Sequence, residues 1–382
     1  MMQQRSYTIT NIFDLILKIF VFTLPIAYFP GISQYGFRAL IFSNMAVVIF
    51  AMTFFMPKKR SSSNPLLPTI LLLSLAVSLI KAPTGLSVYL LNILFAAILY
   101  KSVVENVEDI EGVCNLFLWC VAINIVFVIF QLCGHDLLYV IDPDLDWQKM
   151  LLSNAGMMSR NYHLSWYVMM CLPLAFYKHK IVGVVFIVLL IAQHSFAGFL
   201  GAGIGLTLYF SDRLKITKRN IIVSVFALPF IVILLANYNY HNLLLRLWIW
   251  MFLSKDLLVN PFFGYGLGTF DQIFLGDVAP DMYRYPIIVI SSYSQYVKQI
   301  AEHGLFPVLI ILAVMFRMIK SWYVVAQEDK LTKALLCGWT SLLVVMIFHE
   351  ALQYTHVVIP FLMMMALCEA RIKQLKIKRS RK

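Results

Sequence analysis

Apolar stretches of about 20 residues, the length an α-helix needs to cross the ~30 Å hydrocarbon core of a bilayer, recur from one end of this chain to the other. No other feature restricts its fold as strongly. Inside hydrocarbon every backbone N–H and C=O must be satisfied within the protein, which leaves only helices or a closed barrel. The runs are continuous and lack the ten-residue alternation of barrel strands, so helices are predicted. Composition agrees. Of the 382 residues 61% are hydrophobic and 13% charged, against ~45–50% and ~25% in soluble domains. The mean hydropathy is +0.80. The chain reads as an all-α polytopic integral membrane protein, one domain over residues 1–382.

Twelve transmembrane helices are predicted, over residues 11–29, 37–56, 66–81, 87–104, 113–133, 164–178, 181–193, 195–210, 220–237, 297–316, 334–349 and 355–370. The seventh and eighth are short and read as a tight, thin hairpin. After MMQQR the first apolar segment is long and has no small-residue cleavage site, so it reads as a retained span. Lys and Arg set the orientation, because cytoplasmic loops keep them. With both termini cytoplasmic, 22 of the 31 fall inside and 8 outside, with Lys18 in the first span. The outside set is Arg38, Lys81, Lys149, Arg160, Arg246, Lys255, Arg284 and Lys298. The net charge of +12 is therefore topology charge, not a nucleic-acid patch. Six cysteines lie in or at the ends of apolar segments without C-x-x-C spacing. Neither a disulfide framework nor a zinc site is indicated.

Two outer segments are long, 134–163 and 238–296, and long segments of a compact domain are where function concentrates. The second contains RLWIWMFLSKDLLVNPFFGYGLGTF, residues 246–270. Arg246, with Trp248 and Trp250 behind it, has two readings. One is an aromatic-belt anchor at headgroup level. The other is a clamp on a phosphate or pyrophosphate, whose geometry suits the guanidinium fork. Pro261 stops the helix, and Gly264, Gly266 and Gly268 permit a turn beneath a substrate. No strand precedes these glycines and they face outward, so they are not a nucleotide loop.

SYSQYVKQIAEHGLF, residues 292–306, leads back into the membrane. Tyr293, Ser294, Gln295 and Tyr296 cluster at the outer mouth, with Glu302 and His303 about two turns deeper. Glu302 reads either as a functional carboxylate or as a structural one paired with Lys298 at i−4. Arg160, Asn161, Tyr162 and His163 stand just before the sixth span, and DPDLD at 142–146 reads as turn and cap chemistry. His349 and Glu350 end the eleventh span, facing Tyr354 and His356. They are an acid–base pair or a hydrogen-bonded interface cluster. Gly198, Gly201, Gly203 and Gly205 read as small-residue helix packing, including a G-x-x-x-G at 201–205.

Four of these features, in this order, resemble the bacterial O-antigen ligase and Wzy-type polysaccharide polymerase superfamily. They are Asn161 followed by LSWYVMMCLPLAF, Ser195 opening a Gly-rich span, RLWIW…NPFFGYGLGTF, and YSQYVKQIAEHGLF. Together they cover roughly residues 155–316, and the twelve-span layout extends the likeness to the whole chain. The resemblance implies a GT-C-like membrane glycosyltransferase of the bacterial inner membrane with its site at the periplasmic face. Such enzymes move a glycan from an undecaprenyl-pyrophosphate-linked oligosaccharide to a sugar hydroxyl without metal or nucleotide. Membrane lipid and a chain-length regulator protein are the partners it implies.

The resemblance gives Arg246 the role of pyrophosphate clamp, with Tyr293 and Glu302 as further catalytic residues. Arg160, Asn161, Arg284, Trp250, Gly264, Gly266, His349 and Glu350 are then the candidates for substrate binding. Two positions depart from the pattern. Tyr293 and Ser294 stand where relatives often carry a His-Asn pair, while Glu302 and Gly304 are kept. Phe196 stands where many place an Arg after the Ser of the eighth span. Because O-antigen ligases depend on that histidine, a polymerase is favoured over a ligase acting on lipid A-core. A lipid-linked oligosaccharide flippase is the third reading. It is disfavoured because no repeated halves are visible and the polar groups gather at the outer mouth.

Overall fold

The computed structural model describes residues 12–19, 21, 65–80, 86–135, 161–211, 246, 250–251, 254, 258–266, 269–270, 294–349 and 355–380. Among these residues the chain is helical, with no strand. Ten helices follow one another: α1 Leu66–Ile80, α2 Leu86–Asn106, α3 Ile110–Leu132, α4 Asn161–Lys178 and α5 Lys180–Ala192, then α6 Phe196–Tyr209, α7 Gln295–His303, α8 Leu305–Ala326, α9 Lys330–Val345 and α10 Thr355–Ser380. Residues 12–19 are also helical. The predicted spans at 37–56 and 220–237 lie outside the described residues.

The centre is built from α4, α9 and α10. Every residue of α4 from His163 to Ala175 is buried, as expected of a helix apolar on all sides. Trp166, Tyr167 and Trp339 are the bulkiest fully buried side chains. Helices α4 and α9 cross where Gly338 meets Met170: a Cβ at 338 would overlap the Met170 carbonyl oxygen. Helix α6 lies against both, through its small residues. A Cβ on Gly198 would overlap the Ser165 hydroxyl, one on Gly201 would stand 2.9 Å from the Ser341 carbonyl, and one on Gly205 would stand 3.2 Å from that of Cys337. Gly198, Gly201 and Gly205 thus form the close-packing surface their spacing predicts, whereas Gly203, expected in the same stripe, faces open space because it lies on the opposite side of the helix.

Several boundaries differ from the hydropathy pattern. The tenth span is two helices, because Gly304 takes φ 84° and ψ 168°, a conformation open essentially to glycine alone. Helix α8 then runs on to Ala326 and α10 to Ser380, since long basic side chains let a helix continue past its apolar run. Helix α9, in place of the eleventh predicted span, stops at Val345, and residues 346–349 form a turn. Helices α5 and α6 are joined tightly through His194 at φ 50°. Instead of forming a thin hairpin they touch one another little, and α5 and α6 each pack on α4.

The two ends of the bundle differ in chemistry. One gathers ion pairs: Lys18–Asp109 at 2.6 Å, Lys178–Glu111 at 3.2 Å, Arg371–Asp329 at 3.0 Å, and Arg379 with Glu328. The Lys18 ammonium, hydrogen-bonded to Asp109, holds that carboxyl below its ordinary range. Apolar side chains point outward between the ends. On α5 these are Ile181, Val184, Val185, Val188 and Ile191; on α3, Val126, Ile129 and Phe130; on α8, Leu305, Phe306 and Leu309. Helices α3 and α8 are long and apolar enough to cross a membrane. Their length and this outward face suggest membrane association.

Candidate functional site

At the end opposite the ion pairs, segments distant in sequence meet around the turn 346–349. Helix α7 starts here. Ser294 caps it by accepting the Val297 N–H at 3.4 Å, and its hydroxyl also donates to the Met346 carbonyl at 3.4 Å. The Gln295 N–H donates to the carbonyls of Met346, 2.9 Å, and His349, 3.2 Å. Tyr296 reaches the Leu343 carbonyl at 2.9 Å. Arg246 donates through Nη1 to the Phe348 carbonyl. Arg246, Trp250 and Ser254 each have helical backbone.

Aromatic rings fill the rest of this mouth. Tyr162 stacks on His349 with centroids 5.7 Å apart and planes at 15°. Trp166 lies 4.8 Å from His349, and His163 lies 4.4 Å from Tyr162. Phe196, from the start of α6, meets Phe348 edge-on at 5.8 Å. Trp166 and His163 are buried, while Tyr162 and His349 are half-exposed. The result is a cationic fork, an imidazole and an aromatic wall at one turn. Such a set can hold an anion, shelter an apolar ring face and exchange a proton.

The glycine segment stands elsewhere. Tyr265 and Gly266 donate their N–H groups to the Ala301 and Glu302 carbonyls at 2.8 and 3.0 Å, and Leu305 donates to the Pro261 carbonyl at 2.7 Å. These are the last-turn carbonyls of α7, which an ending helix leaves without intrahelical partners. Gly264 sits at φ 63°, and a Cβ there would stand 2.5 Å from the Ala301 carbonyl oxygen. Gly264 donates its own N–H to Asn260 at 3.1 Å. The amides of Tyr265 and Gly266 thus serve the end of α7, and that of Gly264 a local turn, rather than a substrate anion. Phe270 closes the wrap, with the Lys298 ammonium 5.4 Å from its ring centroid.

Of the residues singled out in the sequence, Arg246 and His349 come together at the mouth. Trp250 is half-buried. Glu302 is not with them: it lies at the far end of α7, roughly 10 Å along the helix from Gln295, and is 1% exposed. Beside it His303 is fully buried, its Nε2 3.2 Å from the Ser74 hydroxyl on α1. Asn161 is the first residue of α4, described by its backbone alone. Arg160, Arg284, Tyr293 and Glu350, and the DPDLD run, lie outside the described residues. The sequence reading had not chosen Trp166 or Phe196 for the mouth. The signal for Trp166 was its spacing, i+4 from Tyr162 and i+3 from His163, which puts three rings on one face.

No family model matches the chain, and no curated protein matches it.

Proposed function

We propose that the chain is a Wzy-type polysaccharide polymerase. It transfers a growing glycan from undecaprenyl pyrophosphate onto a lipid-linked repeat unit, extending an O-antigen, capsule or exopolysaccharide. In this reading it is a twelve-helix, GT-C-like protein of the bacterial inner membrane. Both termini are cytoplasmic, the mouth around Arg246 faces the periplasm, and a chain-length regulator acts beside it. The single observation supporting the reading is convergence. The segments opening with Asn161, Ser195, Arg246 and Ser294, separated by tens of residues, all reach the same end of the bundle.

The chemistry asked of that mouth is modest. The leaving pyrophosphate departs with the bonding electron pair, and a fixed cation aimed at it lowers the barrier without reorganisation. Arg246 is the clamp, held at the turn by the Phe348 carbonyl. Trp250, Tyr162 and His349 line the approach. Glu302 and the Gly264–Gly266 turn keep α7 in place from its far end.

Gene deletion tests the reading through the pattern of glycans left behind. A polymerase mutant leaves single repeat units on the cell surface. Long polymer retained on the lipid carrier would make the protein a ligase instead, and repeat units trapped on the cytoplasmic side would make it a flippase. An unchanged glycan profile would remove the chain from polysaccharide synthesis altogether.

A further inference from the structure

We propose that His349, next to the carbonyl that holds the Arg246 clamp, is the group that takes the proton from the acceptor sugar hydroxyl. This assignment rests on the transferase reading above and names the missing half of its chemistry. His349 is held from three sides. Its ring lies against Tyr162 and Trp166 on α4, and its carbonyl accepts the Gln295 N–H that opens α7. The preceding carbonyl, of Phe348, takes the Arg246 guanidinium. An imidazole fixed by packing and backbone, yet half-exposed at the mouth, is what a general base needs: a set geometry and access to substrate.

Burial first, and the Arg246 guanidinium second, hold the His349 imidazole well below its usual range, because both disfavour a charged ring. The ring is thus neutral, with a nitrogen lone pair to accept a proton, and a pyrophosphate docked on Arg246 offsets the second of these causes. In the transfer, a lone pair of the acceptor hydroxyl oxygen forms the new bond to the anomeric carbon. The bond from that carbon to the pyrophosphate oxygen breaks and its electron pair leaves with the pyrophosphate. The hydroxyl proton passes to a His349 ring nitrogen and is later released to water. Charge and atoms balance without any co-reactant.

Among the described residues, the ionisable groups gathered around the turn that carries His349 are Arg246, Tyr162 and His163 from α4, and Tyr296 from α7; α6 contributes the uncharged Phe196. The test uses the full-length protein in native membranes, supplied with lipid-linked repeat units from its own host. Polymer formation is followed across pH for the wild type, His349→Ala and His349→Gln, each matched for protein level. His349→Ala is expected to slow polymerisation by about 100-fold or more and to flatten the acid limb of the pH profile. Added imidazole should restore part of the rate in His349→Ala and none in a catalytically silent Arg246→Ala. If both His349 variants keep the wild-type rate and pH profile while Arg246→Ala is silent, the base assignment is overturned and the transferase stands. Should Arg246→Ala retain full activity as well, the transferase site itself fails. A His349→Ala protein that loses activity but is not rescued by imidazole, with an unshifted acid limb in His349→Gln, makes the ring structural and also overturns the proposal.

Discussion

Gly264 and Gly304 face one another across the end of α7, and neither can carry a side chain where it stands. A Cβ on Gly304 would overlap the Phe262 carbonyl, and Gly264 comes equally close to the backbone of residues 301–304. With φ at 63° and 84°, alanine at either position costs about 1–3 kcal/mol. Gly264→Ala and Gly304→Ala should each lower the thermal midpoint of the detergent-solubilised protein. Gly203→Ala should not, since open space lies beyond its Cβ position. The sequence marks these glycines as turn-formers but not as partners. Residues 261–266 and 301–305 are some forty positions apart, and local spacing carries no information about which backbone amide meets which carbonyl. For the same reason Glu302, readable as a buried carboxylate, could not be placed relative to Arg246. Phe196 is a related case. The likeness to known transferases leads one to expect Arg, whereas the ring packs on Phe348 and shapes the turn that Arg246 holds.

Helices were the most legible level, because hydropathy depends on the solvent of each segment and needs no knowledge of its neighbours. Their ends were less so. Helix α10 continues ten residues past the predicted span, tied down by Arg371 to Asp329 and by Arg379 to Glu328. Asp329 also caps α9, accepting from the Thr332 N–H at 2.9 Å and its hydroxyl at 2.7 Å. Burial resists ionisation of this carboxyl, but the Arg371 and Thr332 hydrogen bonds outweigh it and hold it below the usual carboxylate range. A depressed folded value means the stabilisation is complete above the unfolded value of ~3.9. It is lost as pH falls from there through the folded value. Wild type should therefore lose thermal stability in that acid window more steeply than Asp329→Ala, which lacks the linkage and at neutral pH loses about 1–2 kcal/mol from the cap alone. The α4–α9 crossing offers a second test. Gly338→Val overfills the contact with Met170 and should destabilise by about 1–3 kcal/mol, read as a lower unfolding midpoint.

At the scale of the molecule, charge count predicts two unlike ends, and the described residues have them. Ion pairs gather at one end, and the aromatic mouth with Arg246 lies at the other. Which end faces the periplasm can be asked of the native chain. Cys133, at the mouth end of α3, is exposed, and the other five cysteines are buried. A membrane-impermeant maleimide added to intact spheroplasts should label one thiol, and Cys133→Ser should abolish it. Labelling that needs lysed cells would invert the orientation and put Arg246 in the cytoplasm. The most direct measurement is the length of the lipid-linked and surface glycan in cells whose only copy is Arg246→Lys or Arg246→Ala, at wild-type protein level. Both variants should leave single repeat units, since an ammonium cannot reproduce the guanidinium fork. Full-length polymer from Arg246→Ala would contradict the account.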